Sequence, residues 1–143
     1  MHSSRRLMIT GLILLVATGV AGSIVFSADA NEWKAPERAA RRKNPVPADA
    51  KSIAEGKTLY TAQCFACHGA AGKGNGPAAQ DLSKAPGDLT SAKVQQQTDG
   101  ELFWKITEGR KPMPNFDTKL TDQQRWAVVN YMRTLAPSGG AKK

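Results

Sequence analysis

The sequence predicts an all-α domain built on three main helices. Three segments begin with the capping-box pattern of a helix N-terminus, a Ser or Thr followed three residues later by Glu or Gln, at Ser52, Thr98 and Thr121. No segment of the domain alternates polar and apolar residues as a half-buried strand would. With 41% hydrophobic and 22% charged residues in 143, the chain fits one globular core preceded by an apolar end.

The limits of the three helices follow from their caps and stops. The first is predicted from Ile53 to Cys64, and the second from Asp99 to Glu108, with Gly109 as its C-terminal stop. The third is predicted from Asp122 to Leu135, because Pro137 cannot continue a helix. The glycine-rich stretch between the first two helices is predicted to be loop.

The first 30 residues differ in composition from the rest of the chain. Arg5 and Arg6 precede an uncharged stretch, Leu7–Phe26, and a small-x-small cleavage pattern ends at Ala30. This order predicts a signal peptide. Since about 20 uncharged residues also suffice to span a bilayer, a retained membrane anchor contacting lipid through residues 7–26 is the alternative. Either leader exports the domain to the periplasm or the outer face of the cytoplasmic membrane.

Residues 31–50 are rich in proline and basic residues and contain one large apolar residue, Trp33. We interpret them as an extended, Pro-rich basic linker, in which Trp33 could also dock on the domain or on a partner. The domain itself is expected over residues 51–136. Residues 137–143 are small and polar and are predicted to form a disordered tail.

Cys64-Phe65-Ala66-Cys67-His68 is a C-x-x-C-H motif, a signature of c-type haem attachment. Two thiols three positions apart at a helix end can add to the two vinyl groups of one porphyrin, and the following imidazole can ligate the iron. The chain has two cysteines and one such motif. It therefore predicts one covalent haem c.

Other uses of the two cysteines fit the sequence less well. A structural zinc site needs four ligands, and beyond the motif the chain offers only His2, within the leader. A thioredoxin-like pair would lie at a helix N-terminus after a strand, whereas this pair follows a predicted helix.

Met113 is the candidate sixth ligand of the iron. It lies between Pro112 and Pro114, which restrict the backbone, whereas Met132 lies in the apolar stripe of the third helix and is expected in the core. Ligation by His68 and Met113 would raise the reduction potential and leave no open position for a substrate, which favours electron transfer over catalysis. If Met113 is a plain loop residue, a five-coordinate haem enzyme or gas sensor is the alternative.

From Ala50 to Leu135 the chain resembles the class I cytochrome c family, in its bacterial exported branch. The resemblance implies a cytochrome c fold, with three main helices wrapped around the haem. Gly56, Tyr60 and Tyr131 match the glycine and aromatic residues through which the family's first and last helices cross, and Trp126 is similar to the aromatic residue of its last helix.

The resemblance also implies roles for two loops. Gly76-Pro77 matches the dipeptide whose carbonyl accepts the second ring N–H of the proximal histidine, here His68, with a neighbouring carbonyl as the alternative. Met113-Pro114 matches the loop of the methionine ligand.

Residues 31–143 contain 18 Lys and Arg against 11 Asp and Glu, a net charge of about +7, which predicts a partner of opposite charge, either an acidic protein patch or anionic lipid headgroups. A solvated basic surface with no particular partner is the alternative. Redox proteins with acidic docking patches are the expected partners, and a membrane respiratory complex is one possibility among them. Nucleic acid and small-molecule substrates are not expected. Arg110 and Lys111 could pair with haem propionates or a partner, or be solvated. The sequence thus predicts a carrier between exported respiratory proteins, with a subunit fixed in a membrane respiratory complex or dehydrogenase, docked through residues 31–50, as the alternative.

Overall fold

The computed structural model describes residues 32–137, and within them it contains no strand, which confirms the all-α prediction. The predicted leader and nearly all of the predicted tail lie outside the described residues. None of the helices in residues 32–137 has the length and apolar character needed to cross a bilayer. The elements are α1 (Glu37–Ala40), α2 (Ala50–Gln63), α3 (Phe65–His68), a 3₁₀ turn (Ala79–Asp81), α4 (Ala92–Gln95), α5 (Asp99–Glu108) and α6 (Asp122–Thr134).

The N-termini of α5 and α6 form as the sequence predicts. The Thr98 hydroxyl accepts from the Glu101 amide at 3.2 Å, and the Glu101 carboxylate accepts from the Thr98 amide at 2.7 Å. Thr121 and Gln124 make the same reciprocal pair at the start of α6. These caps satisfy first-turn amides that have no partner within the helix, and so they fix where each helix begins.

The start of α2 differs from the prediction. The helix begins at Ala50, because the Asp49 carboxylate accepts from the Ser52 amide at 2.8 Å and so acts as the N-cap. The Ser52 side chain is buried, and its hydroxyl donates to the Pro47 carbonyl at 2.5 Å. The proposed capping box at Ser52 is therefore wrong, since this hydroxyl fixes the preceding backbone rather than the helix.

Helices α2 and α6 cross where Gly56 faces Ala127. A Cβ at Gly56 would overlap the Ala127 carbonyl oxygen and lie 2.6 Å from its carbon. One turn further along α2, the ring of Tyr60 lies 5.1 Å from the ring of Tyr131, centroid to centroid. The three residues predicted to form this crossing therefore form it, and glycine is required because two backbones touch.

The hydrophobic core lies between α5, α6 and the segment that joins them. Its centre is a stacked pair, the rings of Phe103 and Trp126, with centroids 4.0 Å apart. The buried residues of this cluster are Leu102, Phe103, Ile106, Phe116, Leu120, Trp126, Val128, Val129 and Met132. Met132 is thus a core residue, as its position in the helix stripe predicts.

Residues 33–49, here called the N-terminal strap, pack on the domain and do not form an extended linker. Ala39 is buried, and its carbonyl lies so close to Gly100 of α5 that a Cβ there would overlap it. The Thr98 hydroxyl donates to the Ala40 carbonyl at 2.8 Å. At the start of the strap, the ring of Trp33 lies 6.3 Å from that of Trp104.

The second half of the strap is bonded to α6 through a pair of asparagines. Asn44 donates to the Asn130 side-chain oxygen at 2.8 Å, and the buried Asn130 amide donates to the carbonyls of Val46 and Pro47 at 3.2 and 3.1 Å. The strap therefore satisfies its backbone through side chains of the domain. Prolines and basic residues suit such a segment as well as they suit a free linker, which is why composition misled the prediction.

Candidate functional site

Cys64, Cys67 and His68 lie within one helical turn. Cys64 is the last residue before α3, and its carbonyl accepts from the amides of Cys67 and His68 at 3.2 and 2.9 Å. His68 ends α3, and Gly69 follows with a φ of 76°, a conformation that stops the helix. Both thiols are free and half-buried. The structure thus brings together the three residues of the motif.

The surroundings of Cys64 favour an uncharged sulfur. Burial, and to a lesser extent the neighbouring Cys67, raises the pKa of the Cys64 thiol to about 12. A thiolate here would lose its hydration, whereas a thioether has no charge to desolvate. A neutral thiol and a thioether are both compatible with this environment, and a thiolate is disfavoured.

The loop after α3 folds back along the short helix. The amides of Gly74, Gly76 and Ala78 donate to the carbonyls of His68, Cys67 and Ala66 at 2.9, 3.0 and 2.8 Å. A helix of four residues leaves all these carbonyls without internal partners, so the loop supplies them. These main-chain hydrogen bonds therefore hold α3 against the loop that follows it.

The histidine ring is oriented by Gly87 and not by the Gly76-Pro77 dipeptide. Nδ1 of His68 lies 3.2 Å from the Gly87 carbonyl, while the Gly76 amide is bonded to Cys67 and Pro77 is exposed. The role expected for the carbonyl of Gly76-Pro77 thus falls to Gly87. The Gly76 carbonyl instead accepts from the Ala79 amide at 2.9 Å.

Contacts between two loops, and no local sequence pattern, place Gly87 beside His68. Pro86-Gly87 is a second proline-glycine pair in the same loop region. Gly74, with a φ of 74°, approaches it so closely that a Cβ would lie 3.2 Å from the Pro86 carbonyl carbon. The Leu89 amide then donates to the Gly72 carbonyl at 2.7 Å. These contacts pack Pro86-Gly87 against the loop that contains Gly72 and Gly74. Because the two segments are distant in the sequence, a local sequence pattern does not predict this packing.

The hydrogen bond to Gly87 defines the chemistry of His68. A carbonyl only accepts, so Nδ1 carries the proton and the lone pair of Nε2 is left for a ligand. Burial lowers the pKa of His68, and the bond to Gly87 opposes that shift in part. The ring is therefore neutral near pH 7, the form that binds a metal.

Met113 lies on a separate, tightly bonded loop after α5. Arg110 and Met113 exchange two main-chain hydrogen bonds of 3.0 and 2.9 Å across a turn that contains the cis peptide Lys111–Pro112. The Phe116 amide donates to carbonyls in the last turn of α5. The Met113 side chain is half-buried and packs against the hydrophobic core.

Comparisons with known proteins agree with this geometry. The cytochrome c family profile matches residues 53–136. Cytochrome c6 of Rippkaea orientalis (strain PCC 8801 / RF-1) is 38% identical over 90 residues, which cover 63% of this chain and 77% of that protein. The cbb3-type cytochrome c oxidase subunit CcoP of Azospirillum sp. (strain B510) is 32% identical over 100 residues, 69% of this chain but only 33% of that subunit.

A solved structure agrees as well. The c-type cytochrome KustC0563 superposes with a TM-score of 0.50 at 27% identity, covering 57% of this chain and 98% of that one. The chain belongs to the cytochrome c family, as a class I c-type cytochrome, and its function is electron transfer by haem. Membership implies a covalently bound haem c with iron.

The side chains present fit that group. The motif offers two sulfurs, of which that of Cys64 is buried where its uncharged form is favoured, followed by a neutral imidazole whose second nitrogen is already bonded. The loop after α5 offers a thioether, the soft donor that suits low-spin haem iron.

Proposed function

We propose that the chain carries a single haem c attached through Cys64 and Cys67, with His68 and Met113 as axial ligands, and that it shuttles electrons between exported redox proteins. The observation that carries the proposal is the bond between Nδ1 of His68 and the Gly87 carbonyl. It leaves Nε2 available, on the residue next to the second of two free thiols.

The haem, when bound, supplies an iron that gains and loses one electron. Gly87 keeps His68 in one tautomer and one orientation, so that Nε2 is the nitrogen that would hold the iron. The hydrogen-bonded turn from Arg110 to Met113 holds the thioether on a fixed backbone. Because a thioether ligand stabilises ferrous iron, His/Met ligation sets a higher potential than two histidines would. Two held ligands also leave little to rearrange during transfer.

The test of the ligand set compares two methionines. We expect the purified ferric protein to show the weak far-red band of methionine-ligated haem, Met113→Ala to abolish it, and the reduced variant to bind carbon monoxide. Met132→Leu, a core substitution of similar volume, serves as the matched control and retains the band. A wild-type protein that lacks the band and binds carbon monoxide would support the enzyme or gas-sensor alternative.

The number and linkage of the haem are tested separately. A pyridine haemochrome assay on denatured protein is expected to give one haem per chain that acid acetone does not extract. Cys67→Ala removes one of the two thioethers and is expected to shift the haemochrome band to longer wavelength. Haem that is extracted from the wild type would refute covalent attachment.

A fixed subunit of a respiratory complex is the second candidate, favoured by the similarity to the oxidase subunit CcoP. The residues and the chemistry are the same, and only the mobility of the domain differs. Intact-mass measurement on protein from native membranes distinguishes them. A chain that begins near residue 31 and purifies alone supports the shuttle, whereas one that retains residues 1–30 and co-purifies with larger subunits supports the subunit.

The basic surface points to the kind of partner. With a net charge of +8, the chain should associate faster with an acidic partner at low ionic strength. Electron transfer to a purified redox partner is expected to slow as salt is added. A rate independent of ionic strength would count against acidic docking patches.

A further inference from the structure

We propose that Arg125 is a positioning residue for the iron ligand: its guanidinium holds the chain segment that follows Met113, residues 116–120, and thereby keeps the thioether in place. The proposal rests on the proposed function, because it requires Met113 to be the ligand. Arg125 lies in the first turn of α6 and does not belong to the motif or to the loops that surround it.

The guanidinium of Arg125 is bonded to the backbone of that segment. Nη1 donates to the carbonyls of Phe116, Asp117 and Leu120 at 3.0, 2.9 and 2.9 Å. Nη2 donates to the Asp122 carboxylate at 2.6 Å. One nitrogen thus gathers three carbonyls of a single turn, in addition to the ion pairs that the guanidinium makes with Asp117 and Asp122 at 3.4 and 2.6 Å.

The burial of Arg125 sets it apart from the other charged side chains. It is only 3% exposed, and within the described residues its Nε is buried without a hydrogen-bond partner. Burying a guanidinium is costly unless its other nitrogens are well bonded. The carbonyls of residues 116–120 offset that cost, so the position of this turn and that of Arg125 depend on each other.

Contacts hold the backbone on both sides of Met113, and the turn bonded to Arg125 lies on the C-terminal side. On the N-terminal side, Gly109 ends α5 with a φ of 63°, and Arg110 bonds back to Met113. On the C-terminal side, Phe116 is only three residues from Met113. If the turn shifts, the displacement is transmitted through two residues, Pro114 and Asn115, to the ligand.

Arg133 provides a matched control on the same helix. It also donates to two carbonyls, of Gln95 and Gln97 at 2.9 and 2.6 Å, and to a carboxylate, that of Asp99 at 2.7 Å. Gln95 and Gln97 precede α5 and Asp99 is its first residue, so all three partners lie outside the Met113 loop. Replacing Arg133 therefore also removes an arginine that binds main-chain carbonyls, but it does not act on Met113.

The experiment compares Arg125→Lys with Arg133→Lys in the haem-loaded full chain, with Met113→Ala as reference. Lysine keeps the charge but cannot present the planar set of donors. We expect Arg125→Lys to weaken the far-red band, lower the reduction potential and raise the affinity of the ferric protein for imidazole about tenfold, equivalent to 1.4 kcal/mol. Arg133→Lys should leave all three readouts unchanged even where it lowers the unfolding temperature.

The outcomes separate this inference from the proposed function. If Met113→Ala changes the band and the affinity but Arg125→Lys behaves like Arg133→Lys, only the positioning role is overturned. If Met113→Ala changes nothing, the ligand assignment fails and this inference fails with it. Should Arg125→Lys yield no folded protein, Asp122→Asn weakens the Nη2 contact more mildly. It must then raise imidazole affinity, and an unchanged affinity overturns the proposal.

Discussion

The substitution Gly56→Ala tests how closely α2 and α6 approach. The added methyl carbon would lie 2.6 Å from the Ala127 carbonyl carbon and 3.0 Å from the Tyr131 Cβ, whereas carbon atoms at rest are about 3.5–4.0 Å apart. Because the main obstacle is backbone, no side-chain rotation relieves the overlap. The helices must separate by about 1 Å.

The expected cost follows from two opposing effects. Overpacking of this kind destabilises by about 1–3 kcal/mol, and separating the helices also loosens the packed rings of Tyr60 and Tyr131. Alanine recovers about 1 kcal/mol, since it is the better helix former. We expect a net loss of about 2 kcal/mol, or a melting temperature about 8–16 °C lower for a domain of this size.

Thermal unfolding of the haem-loaded protein, followed by circular dichroism at 222 nm (the wavelength at which helix is conventionally measured), gives the answer. Lys57→Ala, at the exposed neighbouring position of α2, is the control and should change stability by less than about 0.5 kcal/mol. If Gly56→Ala is as stable as that control, the crossing is not as close as the structure has it. The reasoning from backbone contact would then be refuted.

Three further substitutions test the strap and the first helix. Asn130→Ala removes the acceptor of the Asn44 amide at 2.8 Å and the side-chain donor to the Val46 carbonyl, while Ser52 still donates to Pro47, and should cost about 1–3 kcal/mol in urea unfolding; a loss below about 0.5 would contradict the network. Trp33→Ala removes a ring pair worth about 1 kcal/mol and should speed proteolysis of the strap, whereas equal cleavage would indicate a free linker. Hydrogen bonds from Ser52 lower the pKa of the Asp49 cap below its usual 3.8. That contribution is present above pH 3.8 and is lost as pH falls through the lowered pKa, so the wild type should lose more stability in acid than Asp49→Asn, and parallel acid curves would contradict this.

The features that the sequence predicted correctly are short-range. Each capping box of α5 and α6 spans four residues, so its hydrogen bonds are implied by the residue types alone. The C-x-x-C-H motif spans five residues, and the one-turn helix α3 that it forms is likewise a short-range feature. The crossing at Gly56 is the exception, because it joins distant helices, and there the resemblance to a family supplied the pairing that no local pattern contains.

The features that the sequence did not reveal depend on partners far along the chain. The composition of residues 31–50 predicts a linker, and their packing as a strap is not predicted because its partners, such as Asn130, lie more than 80 residues away. Gly87 was overlooked because it reaches His68 only after the loop has folded back. At the start of α2 the incorrect prediction concerns neighbouring residues. Asp49 and Ser52 are both favourable N-cap residues, and because Ser52 is buried, Asp49 caps the helix.

The two sides of the site are held in physically different ways, and this has a consequence for how sequence change affects them. The His68 segment is braced by main-chain amides of the following loop, and two of the donors, Gly74 and Gly76, have no room for a Cβ. The turn after Met113, residues 116–120, is bonded instead to one buried side chain, that of Arg125. A single substitution can therefore disturb either side: at Gly74 or Gly76 it adds bulk to the backbone that braces His68, and at Arg125 it removes donors from the turn that follows Met113. Under the proposed ligand set, the histidine side is thus sensitive to added bulk and the methionine side to the loss of a hydrogen-bond donor.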